Sequence, residues 1–284
     1  MAADLALLDR AGGDEAGTLR TYRWARPTVS FGRNERVRDV WDVAALGAAG
    51  YDVVRRPTGG RALLHVHEVT WAVALPLPRA VPWRSAYDAV NARLVAALCA
   101  LGVPATLVAD APALAPDGPA CFAAPATGEI AVAGRKLVGS AVWRSAEAYL
   151  QHGSILLHDA QGALAAYRRA GGTDEVLPPA AGLAAWLEDD APAADTDAGA
   201  RDPLPGATSD EALRRRVVRA LREAFGVEPP TPLRGDPRRG GPRRGGPRRE
   251  SPQSGSPAVH DDDERERVDA HRLRLAEPAW LWRR

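Results

Sequence analysis

This chain of 284 residues contains 37 Lys and Arg residues, and only one of them, Lys136, is lysine. It stands in "EIAVAGRKLVGSAV" (129–142). The two cations are not interchangeable. A guanidinium stays protonated under all ordinary conditions, whereas a buried ammonium shifts its pKa readily and can give up a proton. A site that needs lysine chemistry would therefore keep its lysine in a sequence that otherwise writes its cations as arginine. The alternative is a leftover surface lysine. Fifteen residues upstream stands Cys121, in "ACFAAP". If the loop carrying Cys121 folds over the strand carrying Lys136, the ammonium lowers the thiol pKa and makes thiolate. The same lysine could hold a proton for a leaving group or stabilise an oxyanion.

A second chemical stretch is "VVRRPTGGRALLHVHEVTWAV" (53–73). Gly59 and Gly60 allow close backbone approach to a bound group. Arg55, Arg56 and Arg61 flank them, and guanidinium with bare backbone N–H groups suits a phosphate or carboxylate. The stretch is neither a Walker A loop nor G-x-G-x-x-G, and a plain hairpin turn is the alternative. His65 and His67 share a strand face at i, i+2 spacing, but no further ligand cluster accompanies them, so no metal site is expected.

These residues need elements to position them. Residues 3–11 read as a short amphipathic helix, and 18–33 as two short strands broken near Pro27. A short helix over 40–49 ends at Gly50, and 51–56 is a strand. Residues 62–76 read as a strand hairpin, half-buried where Val69, Trp71, Val73 and Leu75 alternate with smaller residues. The clearest helix is 85–103, with Ser85 as N-cap and a stripe of Tyr87, Val90, Leu94, Leu98 and Leu101. Cys99, beside that stripe, reads as a small buried core thiol. An Ala/Pro-rich loop (109–120) leads to strands near 128–133, 136–143 and 149–158. Helices follow at 163–170, 181–189 and, capped by Ser209 or Asp210, at 209–227.

Residues 229–262 differ in kind. The repeat "PRRGGPRRGGPRR" (237–249) followed by "DDDERE" (261–266) is low in apolar residues, which predicts disorder. Its Arg pairs could touch RNA or acidic lipid. A linker with partly cancelling charge is the preferred reading, so no nucleic-acid partner is expected. The organisation is thus a catalytic domain over 1–228, an insertion over 229–262 and a docking helix and tail over 263–284. Net charge is +1 and hydrophobic content 45%, which excludes a global field for nucleic acid or membrane. Two cysteines outside any C-x-x-C make no disulfide framework, pointing to a reducing, cytoplasmic setting. Asp4 and Asp9 interrupt the apolar N-terminal pattern, so it is not a signal peptide. No apolar run approaches the ~18 residues of a membrane-spanning helix.

"RRPTGGRALLH", "GRKLVGSA" and "QHGSILL", in that order, resemble the biotin/lipoate protein ligase catalytic-domain family, in its lipoate-ligase and octanoyltransferase branch. "LRTYRWARPTVSFGRNERV" and the terminal "PAWLWRR" are similar to it as well. The resemblance implies an α/β fold with a mixed sheet and flanking helices, and a tunnel for an eight-carbon acyl chain. It implies that Lys136 contacts the acyl carbonyl, and that Arg56, Gly59, Gly60, Arg61, Ala62 and His65 form a glycine-rich substrate loop. Gly139, Ser140 and Ala141 would line the pocket, with His152 and Gly153 on the neighbouring strand.

In the octanoyltransferase branch a C-F-x-x-P motif stands shortly before G-R-K, and Cys121 occupies that place. The resemblance thus implies transfer of an octanoyl group from octanoyl-acyl carrier protein through Cys121 to a lysine of a lipoyl domain. The acceptor would be of the 2-oxoacid dehydrogenase E2 or glycine-cleavage H type. That reaction needs no metal or nucleotide, and a monomer suffices. The alternative within the family is a lipoate–protein ligase using ATP and Mg²⁺. A non-catalytic acyl- or carrier-binding module is a third reading.

Overall fold

In a computed structural model the described residues are 1–13, 17–111, 125–169, 179–187, 207–227, 268–271 and 275. Cys121 and the whole 229–262 insertion lie outside them. Helix α1 (Ala2–Ala11) opens the chain, followed by β1 (Thr18–Tyr22) and β2 (Thr28–Phe31). Two short helices, α2 (Val37–Val40) and α3 (Val43–Ala48), lead to β3 (Asp52–Arg55). Then come β4 (Leu63–His65), β5 (Glu68–Pro76), α4 (Trp83–Ala100) and β6 (Thr106–Leu107). Strands β7 (Ile130–Val132), β8 (Arg135–Arg144) and β9 (Ala148–Leu156) follow. A 3₁₀ helix (Gln161–Tyr167), α5 (Ala184–Leu187) and α6 (Ala207–Ala224) complete the named elements.

The strands form two sheets. The larger is antiparallel throughout, in the order β1-β5-β9-β8-β7-β6. The smaller, β3-β2-β4, pairs β2 with β3 in parallel and β2 with β4 antiparallel. Mixed pairing is therefore confined to the small sheet. Residues 62–76 do contain two strands, but they are not a hairpin: β4 pairs in the small sheet and β5 in the large one. Nor is β5 half-buried, since seven of its nine residues are buried. Ala72 and Ala74 receive α1 on one face, while Val69, Trp71 and Val73 face α4 and α6 on the other. The small residues that looked like the outward half of an alternation are the close-approach surface for a helix.

Helix α4 starts at Trp83 with Pro82 in the cap position and no side-chain cap hydrogen bond; the Ser85 hydroxyl only bonds back to Pro82 O at 2.7 Å. A cap contributes about 1 kcal/mol. Burial of Val90, Leu94 and Leu98 at 2% exposure or less contributes about 1.5–3 kcal/mol each. Packing, not the cap, sets this helix. Cys99 is exposed rather than buried, one position around from Leu98 on the helix, and its Sγ lies 3.6 Å from Ala105 O. The stretch 40–49 is broken where Asp42 caps α3 by accepting from Ala45 N at 3.0 Å.

Of the expected helix over 163–170, residues 163–167 belong to the 3₁₀ segment, Arg168 is already extended, and residue 170 lies outside the described residues. Helix α6 begins before the expected caps, and Asp210 instead bonds His158 (2.7 Å) and His67 (3.1 Å). Near the C-terminus, His271 Nε2 meets Asp9 of α1 at 2.6 Å, and Leu275 packs against the α1 cluster. Among the described residues no helix is long and apolar enough to cross a membrane.

Candidate active site

The pocket lies where the two sheets meet. It is narrow, with a cavity volume of about 30 Å³, and it opens to solvent. From β8 come Gly139, Ser140 and Ala141; from β9, His152, Gly153 and Ser154. The small sheet and its glycine-rich connection supply Arg56, Gly60, Leu63 and His65, and Met1, Tyr22 and Thr70 complete the lining. Eight of the expected substrate residues thus converge. Gly59, Arg61 and Ala62 do not line it: Gly59 is exposed and Ala62 packs in the core of the small sheet.

Two glycines have steric reasons. A Cβ on Gly32 would stand 1.7 Å from Gly60 O, so the end of β2 and the glycine-rich segment touch backbone to backbone. A Cβ on Gly153 would meet Gly139 O at 2.2 Å and Trp71 Cζ2 at 2.9 Å. That closeness keeps β8 and β9 tight where the pocket needs room.

Arg55 and Arg56 direct donors into the fold. Arg56 donates through Nη1 to Ser30 O and Ser30 Oγ (both 2.7 Å) and through Nη2 to Gly59 O (3.1 Å) and Arg61 O (2.8 Å). Its guanidinium organises the glycine-rich segment from inside. Arg55, 2% exposed, donates to Gly32 O, Arg33 O and Glu35 O. Residue type suggested anion recognition; the fold uses both side chains to satisfy loop carbonyls.

Two buried histidine relays flank the pocket. His65 Nδ1 lies 2.6 Å from Glu68 Oε1, and its Nε2 lies 2.6 Å from Ser30 Oγ. A carboxylate accepts only, so Nδ1 donates to Glu68. Arg56, Ser30, His65 and Glu68 thus form one chain of hydrogen bonds, and Trp24 stacks on the imidazole at 4.3 Å. His152 repeats the pattern, with Nδ1 on Asp4 Oδ2 (3.2 Å) and Nε2 on Thr58 Oγ1 (2.6 Å). Burial lowers the His152 pKa, leaving a neutral ring that donates to Asp4 and accepts from Thr58.

Burial alone would raise the Asp4 carboxyl. The Met1 ammonium, the His152 hydrogen bond and Arg20 outweigh it and hold Asp4 well below the usual range. Glu68 likewise lies low, since His65 and the Thr70 hydroxyl outweigh its burial. His65 and His67 do not form a pair of ligands: His65 is buried, whereas His67 is exposed and turned to Asp210. Among the described residues no group of three acidic, His or Cys side chains is placed to hold a metal.

Lys136 is 2% exposed, and its Nζ meets Glu129 Oε1 at 2.7 Å. It does not line the pocket itself but sits on the strand whose next turns do. The β7–β8 register shifts there: Ala131 faces Lys136 while Ile130 faces Val138, leaving Leu137 as an extra residue. Such a bulge re-aims side chains, and the Lys136 carbonyl turns out to accept from Ala181 N at 2.9 Å. A tight turn at Ala133 and Gly134, both at positive φ, fixes that register.

Cys121 lies in the span 112–124, outside the described residues. The residues on either side of that span are tied together. Thr127 Oγ1 accepts from Ala111 N (3.0 Å) and donates to Ala111 O (3.3 Å), and Gly128 N donates to Val108 O (2.7 Å). Asp4, Thr58, Ser30, Glu68 and Glu129 were not among the expected site residues. The available signal was a lone carboxylate inside an apolar pattern, as at Asp4 in α1 and Glu68 in β5.

The chain is similar to proteins named octanoyltransferase LipM. It is 41% identical to that of Kyrpidia tusciae over 168 residues, covering 55% of this chain and 61% of the relative. It is also 41% identical to that of Symbiobacterium thermophilum over 166 residues, covering 55% and 60%. The chain thus spans about three fifths of the length of these curated relatives. A solved lipoate-protein ligase A bound with ATP aligns with TM-score 0.64 at 17% identity, covering 99% of this chain and 92% of that one. A bi-partite lipoate protein ligase from Thermoplasma acidophilum aligns with TM-score 0.63 at 17% identity, covering 99% and 89%. At that identity these two speak for the fold. The family model for the lipoyl protein ligase A/B catalytic domain matches residues 1–183, well over half of the chain, and the chain belongs to that family.

Proposed function

We propose that this chain is an octanoyltransferase of protein lipoylation that works through an acyl-enzyme on Cys121. The observation that carries the reading is the 41% identity to octanoyltransferases over 168 and 166 residues. In the first step the Cys121 thiolate attacks the thioester carbonyl of octanoyl-acyl carrier protein. The carrier's sulfur leaves and takes a proton from the Lys136 ammonium, and a new thioester forms on Cys121. In the second, the amine of a lipoyl-domain lysine attacks, Cys121 leaves as thiolate, and the neutral Lys136 takes back the amine's proton as the amide forms.

Lys136 stabilises the oxyanion of both tetrahedral intermediates and favours the thiolate. The narrow pocket walled by Leu63, Gly139, Ala141 and Gly153 takes the acyl chain. Gly59, Arg61 and Ala62 act by shaping the glycine-rich segment. No nucleotide or metal is required, and a free thiolate fits a reducing, cytoplasmic setting. The domain that performs this spans 1–228, and the acceptor is a lipoyl domain of E2 or H type.

The test is intact-mass analysis after mixing with octanoyl-acyl carrier protein and no ATP. The expected result is one octanoyl adduct on Cys121, lost in Cys121→Ala and discharged by a lipoyl domain. Product formed only with ATP, Mg²⁺ and lipoate, and unaffected by Cys121→Ala, would instead establish a ligase.

A further inference from the structure

Most polar side chains that line the pocket already have their partners. Tyr22 donates to Asp4, Arg56 donates to Ser30, and Ser140 accepts from Gln151. Thr70 accepts from Trp24 Nε1 at 3.2 Å and donates to Glu68 Oε1 at 2.7 Å. Ser154 is the exception. It lines the pocket at 0% exposure, and its Oγ has no hydrogen-bond partner among the described residues. Beside it lies a second orphan. Glu68, 3% exposed, takes both His65 Nδ1 and Thr70 Oγ1 on its Oε1 and nothing on its Oε2.

The register puts these two atoms in one neighbourhood. Ser154 pairs with Thr70 across β5 and β9, and Glu68 stands two residues from Thr70 on the same side of the sheet. The Ser154 hydroxyl is close enough to help hold the Glu68 carboxyl below its usual range, yet it falls short of hydrogen-bond geometry. On its other flank Ser154 pairs with Gly139, which has no side chain to fill the space. A buried polar atom without a partner costs free energy, so two of them at a pocket wall mark a place for a ligand atom. We propose that Ser154 Oγ and Glu68 Oε2 form a subsite for one hydroxyl oxygen, held as an ordered water or as a hydroxyl on the acyl chain. The proposal rests on the acyl-pocket reading for the chain-borne hydroxyl and on the two orphan atoms alone for the water.

The chemistry of the pair selects a donor. A carboxylate oxygen accepts only, so the occupant must donate to Oε2, which excludes a carbonyl or a second carboxylate. An ammonium would donate as well, but the Arg56 guanidinium in the same lining repels it. A hydroxyl satisfies both partners, donating to Oε2 and accepting the Ser154 hydrogen. The cavity of about 30 Å³ has room for such an oxygen. Leu63, Gly139, Ala141 and Gly153, which wall the rest of the pocket, offer it no side-chain partner. A hydroxyl is therefore favoured at one position of a bound chain and costs affinity at every other.

Titration calorimetry compares octanoate with the hydroxyoctanoates, one chain position at a time, on wild type and Ser154→Ala. A hydroxyl without a partner should weaken binding about 10-fold or more. One isomer is expected to bind wild type at least as tightly as octanoate and to fall about 10-fold behind it in Ser154→Ala. That result assigns the subsite to a chain-borne hydroxyl. A second measurement seeks the water: nuclear Overhauser effects from a long-lived water to the amide hydrogens around Ser154, in the free protein and the octanoate complex. With no isomer favoured, such a signal in wild type, lost in Ser154→Ala, assigns the subsite to a water. Neither a favoured isomer nor such a water, or an isomer favoured equally in both proteins, overturns the proposal; in the first case Ser154 simply bonds Glu68. Should Ser154→Ala fail to fold, Ser154→Cys replaces the hydroxyl by a weakly donating thiol and takes its place. If octanoate itself does not bind, the acyl-pocket reading fails separately, and the water signal of the free protein still decides the subsite.

Discussion

Lys136 shows how much a single residue can carry and how little its type says about its setting. Its ammonium is buried beside a carboxylate on a bulged strand. Lys136→Arg should lower kcat/KM for transfer by about 100-fold or more with the fold intact, because a larger guanidinium cannot take the same place or release a proton. Steady-state kinetics together with circular dichroism check this. Asp4 carries a stability prediction. Its folded pKa is depressed, so its contribution is present above the ordinary aspartate value of about 3.9 and is lost as pH falls below it. Asp4→Asn should cost about 3 kcal/mol at pH 7 by leaving Arg20 and His152 without their anion. The gap from wild type in urea denaturation should shrink toward pH 3. Lys136 was visible in the sequence through composition alone. Asp4 was visible only as an interruption of an apolar pattern, because what it contacts comes from residues 20, 22 and 152. The loop carbonyls and Ser30 that Arg56 reaches were not legible for the same reason: the acceptors around a guanidinium are not written next to it.

Among the elements, most helices and strands were legible because their periodicity is local. What was not legible was which strand pairs with which. His65 and Glu68 are separated by only two residues, yet they end one sheet and begin another. The connection is too irregular for a hairpin, and the imidazole–carboxylate bond across it, at 2.6 Å, bridges the two sheets. The bulge at Lys136 is equally silent in sequence, since it depends on the register that the Ala133–Gly134 turn imposes on β7 and β8. Strand-level packing yields a further prediction. Gly153→Ala would press a methyl group onto Gly139 O and Ser140 Cα, both backbone. It should destabilise by about 1–3 kcal/mol and lower transfer by narrowing the pocket. Thermal denaturation and single-turnover acylation measure the two effects, and an unchanged midpoint would contradict the tight β8–β9 contact.

At the scale of the molecule, the pocket exists only because the large sheet and the small sheet meet, and the two histidine relays tie them across it. A ligand seated at that seam should stabilise the folded chain as a whole, by RT ln(1 + [L]/Kd), about 2.7 kcal/mol at a hundred times Kd. Octanoate should therefore raise the melting temperature by several degrees in a fluorimetric scan. Butanoate at equal concentration should do far less, since each buried methylene is worth about 0.8 kcal/mol. Equal shifts for the two acids would argue against an acyl pocket. The sequence by itself determined the family, the order of the elements, the lone lysine and most of the residues that converge. Those are properties of local pattern and of motifs that sit within a few residues of one another. Only the tertiary structure decided that Arg56 faces inward, that Asp4 and Glu68 end two relays, and that Glu129 grips Lys136. Each of those depends on contacts between segments distant in the chain, or on a register set elsewhere, and neither is encoded in the spacing of neighbours.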